Sequence, residues 1–189
     1  MGNRWPILIL VVILVVLGLI SCQTDVSAKY EPVANPMDLD VRFAEPTWGG
    51  ERIPFNQQCR KLGGNGATPG LVVFNIHPGA NALILEFSDR DDPKMDNGGL
   101  GIIGYEITPG VQAANVPSVP GDTKELKPPF FVVAKPRKST SDDKGVYLPP
   151  CSDVRNHVYY VTVRAVFQAK KSGEKNQMLG QGKLVMGRY

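Results

Sequence analysis

Two histidines and three cysteines in 189 residues leave little material for a metal centre. No C-x-x-C pair and no His/Cys cluster at ligand spacing is present, so a bound metal is not expected. The chain also lacks a G-x-S-x-G elbow, an H-E-x-x-H helix and a Walker loop. Without a nucleophile held in fixed geometry, the sequence points to a binding protein rather than an enzyme, and to no cofactor. Aromatic residues interleaved with basic clusters are missing too, which argues against a nucleic-acid partner. Helical periodicity is almost absent, and past Ile20 there is no long apolar run.

What is present begins at the N-terminus. "MGNRW" is followed by Pro6 to Ile20, a stretch with no polar side chain. That run is short for a bilayer-spanning helix, which needs about 20 residues, and suits the apolar region of a secretory signal peptide. It ends in "LISC", which resembles the lipobox of bacterial lipoproteins. The resemblance implies a signal peptide over residues 1–21 and a lipid on the Cys22 thiol. It also implies residence in the bacterial cell envelope, with the membrane reached through the N-terminal lipid. Gln23, where an aspartate would retain a lipoprotein at the inner membrane, points to the outer membrane. An uncleaved single-span anchor with an incidental Cys22 is the other reading.

Residues 24–37 lack periodicity and contain two prolines, so residues 22–38 are expected to form a lipidated tether. The remainder, 39–189, is the size of one domain with a sizeable core. Its charge is uneven. Residues 1–123 hold 8 basic and 13 acidic side chains, whereas 124–189 hold 13 and 5. Such asymmetry either presents a basic face to an anionic partner or reflects scattered solvated lysines. With Cys22 assigned to lipid, Cys59 and Cys151 remain in an oxidising compartment, where a disulfide is expected. Two separate buried thiols are the alternative.

Short segments rich in β-branched and aromatic residues recur between Gly/Pro/Asn clusters: "LDVRFA", "LVVFNI", "NALILEFS", "LGIIGYEI", "FFVVA", "HVYYVTVRAVF" and "GKLVMGRY". A short helix is expected only around "KKSGEKNQML". Long connections span Thr108 to Pro129 and Lys135 to Pro150. The fold class is therefore all-β, a sandwich with long end loops. Strand alternation puts Leu83, Leu85, Phe87, Asp89 and Asp91 on one face, and His157, Tyr159, Val161, Val163, Ala165 and Phe167 on another. Both apolar rows end in polar groups. These groups form a small polar pocket if the two strand ends meet, and are hydrated separately if they do not. His77, before a proline at a strand end, suits a surface turn.

Four blocks carry a family resemblance: "FAEPTWGGERIPFNQQC", "GNGATPGLVVFNIHPGANALILEFSDRDDP", "CSDVRNHVYYVTVRAV" and "LGQGKLVMGRY". In this order and spacing they resemble the phosphatidylethanolamine-binding protein family (Raf kinase inhibitor protein-like), and especially its bacterial branch, over Leu39 to Tyr189. The resemblance implies a β-sandwich with an anion pocket for phosphate or a phosphorylated head group. Its members here would be Asp89, Asp91, Pro150, His157 and Tyr159, with Cys151 at the rim. The two aspartates would then hold His157 as an imidazolium that donates to the anion. The chain departs from the family pattern at Arg90, Pro149 and Val158, and has no second pocket histidine near "GGLGIIGY". The resemblance thus leads to two expectations. One is a tethered module binding a small anion or phospholipid head group. The other is a protein-interaction module whose pocket is vestigial.

Overall fold

The structure, a computed structural model, describes residues 29–138 and 145–189. The expected signal peptide, Cys22 and the start of the expected tether lie outside the described residues. Among the described residues nine strands follow in order: β1 (Glu31–Asp38), β2 (Asp40–Phe43), β3 (Leu71–Phe74), β4 (Ala82–Asp89), β5 (Gly101–Glu106), β6 (Ala113–Val116), β7 (Phe130–Ala134), β8 (Val158–Phe167) and β9 (Gln177–Arg188). They form a six-stranded sheet ordered β1-β9-β8-β4-β5-β7 and a three-stranded sheet ordered β2-β3-β6. A 3-10 turn lies at Arg60–Leu62. The chain is therefore all-β, as its periodicity predicts.

The core lies between the two sheets. Leu83, Leu85 and Phe87 of β4 and Tyr159, Val161, Val163 and Ala165 of β8 supply one wall of it, and Val41, Leu71 and Val73 the other. This is the face that alternation assigns to them, because successive side chains along a strand point to opposite sides. At about 25 cal/mol per Å² of apolar surface removed from water, these central rows dominate the stability of the domain. Both faces of β4 are buried, since Ile84 joins a second cluster with Tyr30, Ile102 and Val166 on the far side.

Three local expectations change. Residues Glu31–Asp38, read as tether, pair with β9 in parallel, Glu31 opposite Gln177 and Asp38 opposite Gln181. This edge strand is almost wholly exposed, so it has no buried face to leave an alternating pattern. The short helix expected at 170–179 is instead a turn leading into β9, which starts at Gln177. Gly173 there has a φ of 92°, a left-handed conformation that ends a turn and interrupts a helix. The long 108–129 connection contains β6, antiparallel to β3.

The register fixes one polar end. β4 runs antiparallel to β8 with Asp89 opposite Tyr159, and β8 antiparallel to β9 with Val158 opposite Arg188. Asp89, the start of β8 and the end of β9 therefore lie together. The chain enters β1 at the other end of the same sheet.

Candidate functional site

Asp89 is the last residue of β4, and its carboxylate organises the turn that follows. Its Oδ1 accepts the backbone N–H groups of Asp91 at 3.0 Å and Asp92 at 3.3 Å. A short acceptor side chain turning back on its own backbone is the usual way an Asp ends a strand. The turn is closed again when Asp89 donates its N–H to the Met95 carbonyl at 3.0 Å. Arg137, just beyond β7, clamps the same turn. Its guanidinium donates to the carbonyls of Lys94 at 3.3 Å, Asp96 at 2.6 Å and Asn97 at 2.7 Å.

His157 stands one residue before β8, with its Nδ1 2.9 Å from Oδ1 and 2.8 Å from Oδ2 of Asp89. Both side chains are largely buried, 15% exposed for His157 and 5% for Asp89. An ionised carboxylate only accepts, so the proton in this contact sits on Nδ1, which leaves Nε2 as the free ring atom. The strand ends that alternation paired conditionally do meet.

Asp89 lines a cavity of about 260 Å³ together with Lys61, Asp92, Lys138, Cys151, Ser152 and Asp153, over an apolar floor of Met95, Leu100 and Leu148. Of the five residues expected in an anion pocket, it alone reaches the cavity wall. His157 supports it from behind. Tyr159 is fully buried beside it, and its hydroxyl accepts the Ser152 N–H at 3.3 Å. Burial, then the nearby Asp89 charge, pushes the Tyr159 phenol above its ordinary 10.0, so it stays protonated.

The other two expected members take structural roles. The Asp91 Oδ2 accepts the Val158 N–H at 2.7 Å, pinning the start of β8. Of the two aspartates expected to charge the histidine, Asp89 is the one whose carboxylate meets its ring. The buried Pro150 uses its carbonyl to accept the Cys59 N–H at 3.0 Å and stays off the cavity wall.

The positive charge at the cavity comes from two lysines that strand pattern could not flag. Lys138 lies 2.9 Å from Asp92, and Lys61 lies 2.6 Å from Asp153. The Lys138 ammonium holds the Asp92 carboxyl below its ordinary 3.8, against a smaller desolvation effect in the other direction. Lys61 reaches the rim because Cys59 and Cys151 form a disulfide with Cα atoms 5.2 Å apart, which draws the 3-10 turn against the 150–153 segment. The sequence signal for Lys61 was therefore its place two residues after a bridged cysteine. Close packing holds the segment from below. A Cβ on Gly121 would meet Pro149 Cγ at 2.5 Å, so that contact requires glycine. Beneath the cavity, the Tyr147 hydroxyl is fully buried and has no hydrogen-bond partner among the described residues. Its ring meets Phe87 edge-on at 4.9 Å.

On the cavity wall two lysines face the three carboxylates of Asp89, Asp92 and Asp153. Such a site disfavours a bare dianion unless a carboxylate is displaced or protonated. It suits a ligand that itself carries both signs. Among the described residues no group of three or more His, Cys, Asp or Glu side chains could hold a metal ion.

No protein-family profile matches the chain, and no curated protein matches it. In fold it is similar to a phosphatidylethanolamine-binding protein homologue from Chlamydia trachomatis. That similarity has 18% identity and a TM-score of 0.45, and covers 80% of this chain and 97% of the other. It is also similar to Escherichia coli YbcL, described as a new member of the mammalian PEBP family, at 17% identity and a TM-score of 0.49, over 80% of this chain and 98% of the other.

Proposed function

We propose that the chain is a membrane-tethered binding module whose cavity takes a small phosphorylated head group bearing an amine, such as phosphoethanolamine. The observation that carries this reading is the charge layout. Two lysine–aspartate pairs flank a cavity whose wall also presents Asp89, braced by His157. In the bound state Lys61 and Lys138 turn to the phosphate, and Asp89 with Asp92 receives the ammonium. Each of the pairs is at least partly exposed, so rearranging one costs about 1 kcal/mol or less. A volume of about 260 Å³ lies just below the roughly 300–1,000 Å³ of pockets for drug-sized ligands. It admits a head group and excludes the acyl chains.

The tether is the second half of the proposal. The apolar segment ending at Cys22 supports a lipid on that thiol, consistent with attachment to the bacterial envelope.

The test is a titration of the full chain in a mild detergent with inorganic phosphate, ethanolamine and glycerophosphoethanolamine, read by proton NMR of the His157 ring. The expected result is a saturable shift that is largest and tightest for glycerophosphoethanolamine and is lost in Lys61→Ala/Lys138→Ala. No saturable shift with any of the three at millimolar concentration would sink the reading.

A further inference from the structure

On the other side of the His157 segment, at the same end of the sandwich, lies a larger groove of about 800 Å³. Three short segments line it: residues 51–55 with Gln58, residues 155–156, and residues 188–189 at the end of β9. They bring Arg52, Arg155 and Arg188 together, all exposed. The guanidinium groups of Arg52 and Arg155 enter none of the ion pairs or side-chain hydrogen bonds among the described residues, while Arg188 donates to the Asn156 carbonyl at 3.2 Å. The one carboxylate side chain on the lining belongs to Glu51. At the rim Phe55 is 95% exposed, and Val154, beside Arg155, is 65% exposed.

A single exposed apolar side chain means little. An exposed aromatic on the same groove as three arginines is a different case, because aromatic residues and arginine are enriched at protein interfaces. The backbone here is already ordered. Ile53 donates to the Arg188 carbonyl at 2.9 Å, Arg188 to the Glu51 carbonyl at 3.0 Å, Gln57 to the Pro54 carbonyl at 3.1 Å and Gly66 to the Gln58 carbonyl at 3.0 Å. A partner therefore meets a surface whose backbone ordering is complete before binding.

We propose that this groove docks an acidic peptide segment of a partner protein, with carboxylates on Arg52 and Arg155 and an apolar side chain against Phe55. Guanidinium forks match carboxylates in pairs, which fixes the sign and class of the ligand. The surface is concave, so a peptide enters it and a flat bilayer does not. Its orientation points the same way. Glu31 pairs with Gln177, at the opposite end of β9 from Arg188. At about 3.3 Å per residue, that places the groove roughly 35 Å from the chain's point of entry. Tethered as proposed above, the domain turns the groove away from its own membrane. The orientation rests on the proposed tether; the charge and exposure stand without it.

The test is to pan a display library of short random peptides against the full chain in detergent. The enriched peptides are then synthesised and their binding measured by fluorescence anisotropy at low and high salt. Enriched sequences should combine Asp or Glu with an apolar residue. Arg52→Glu and Arg155→Glu should each weaken binding about tenfold or more, as should Phe55→Ser. Thermal melts and the glycerophosphoethanolamine titration should stay unchanged in all three variants, which separates failure here from failure of the cavity reading. Enrichment with no acidic bias, or acidic peptides that bind Arg155→Glu as well as the native chain, would overturn the proposal. So would Phe55-dependent binding to phosphatidylglycerol vesicles with no peptide binding.

Discussion

The two concavities at one end of the sandwich differ in what their charges are doing. In the cavity around Asp89 each cation already has a carboxylate, Lys61 with Asp153 and Lys138 with Asp92. In the neighbouring groove Arg52 and Arg155 have none among the described residues, and an almost bare Phe55 stands beside them. Internally neutralised charge suits a ligand that carries both signs and takes the place of an existing pair. Uncompensated charge beside an apolar rim suits a partner that brings its own carboxylates. The two adjacent surfaces of one small domain thus differ both in net charge and in how far that charge is already paired.

The largest effect should come from breaking the disulfide, which frames the cavity more directly than the groove. Replacing Cys59 and Cys151 by alanine opens a loop of 92 residues in sequence separation. That should lower stability by about 4 kcal/mol, read as a reduced urea midpoint. Lys61 and Asp153 should lose their fixed places, so head-group binding falls in the chain that still folds. Residues 51–53 are held to β9 by backbone bonds, so peptide binding there should persist. Equal loss at both surfaces would show that they are not independent.

Next in size is Asp89→Asn. It removes the charged acceptor of His157 while keeping one oxygen for the turn, and should cost about 1.5–3 kcal/mol. The cavity titration should vanish and the groove should not respond. A variant as stable as the native chain would mean that the His157 contact contributes nothing.

A smaller effect concerns acid. Because the Asp92 carboxyl lies below its ordinary 3.8, the pair with Lys138 adds stability at pH values above that level. This contribution is lost only as pH falls through the lowered value. Carbon NMR of the Asp92 carboxyl should show a titration midpoint below 3.8 that moves up in Lys138→Met. An unmoved midpoint would assign the shift to another cause. Smallest of all, Arg155→Ala should change stability by no more than about 0.5 kcal/mol while weakening peptide binding. A large loss of stability there would make Arg155 a structural residue and dissolve the contrast.

The sequence determined by itself whatever depends on local period and composition. Alternation along β4 and β8 placed Leu83, Leu85 and Phe87, and Tyr159, Val161, Val163 and Ala165, toward the core, and the structure keeps them there. Cysteine arithmetic left Cys59 and Cys151 to pair, and they do. Exposed edge pairing was invisible: Glu31–Asp38 joins β9 through a parallel backbone ladder, and its mostly exposed side chains write no apolar pattern. Period two also fixes only the face of a residue and cannot say which distant segment faces it. Tertiary structure therefore decided that Asp89 meets His157, and that Asp91 turns to the Val158 amide. It alone carried Lys61 and Lys138 to the cavity and gathered Arg52, Arg155 and Arg188 around Phe55, because strand register, the disulfide and the Arg137 clamp act across separations that no local pattern records.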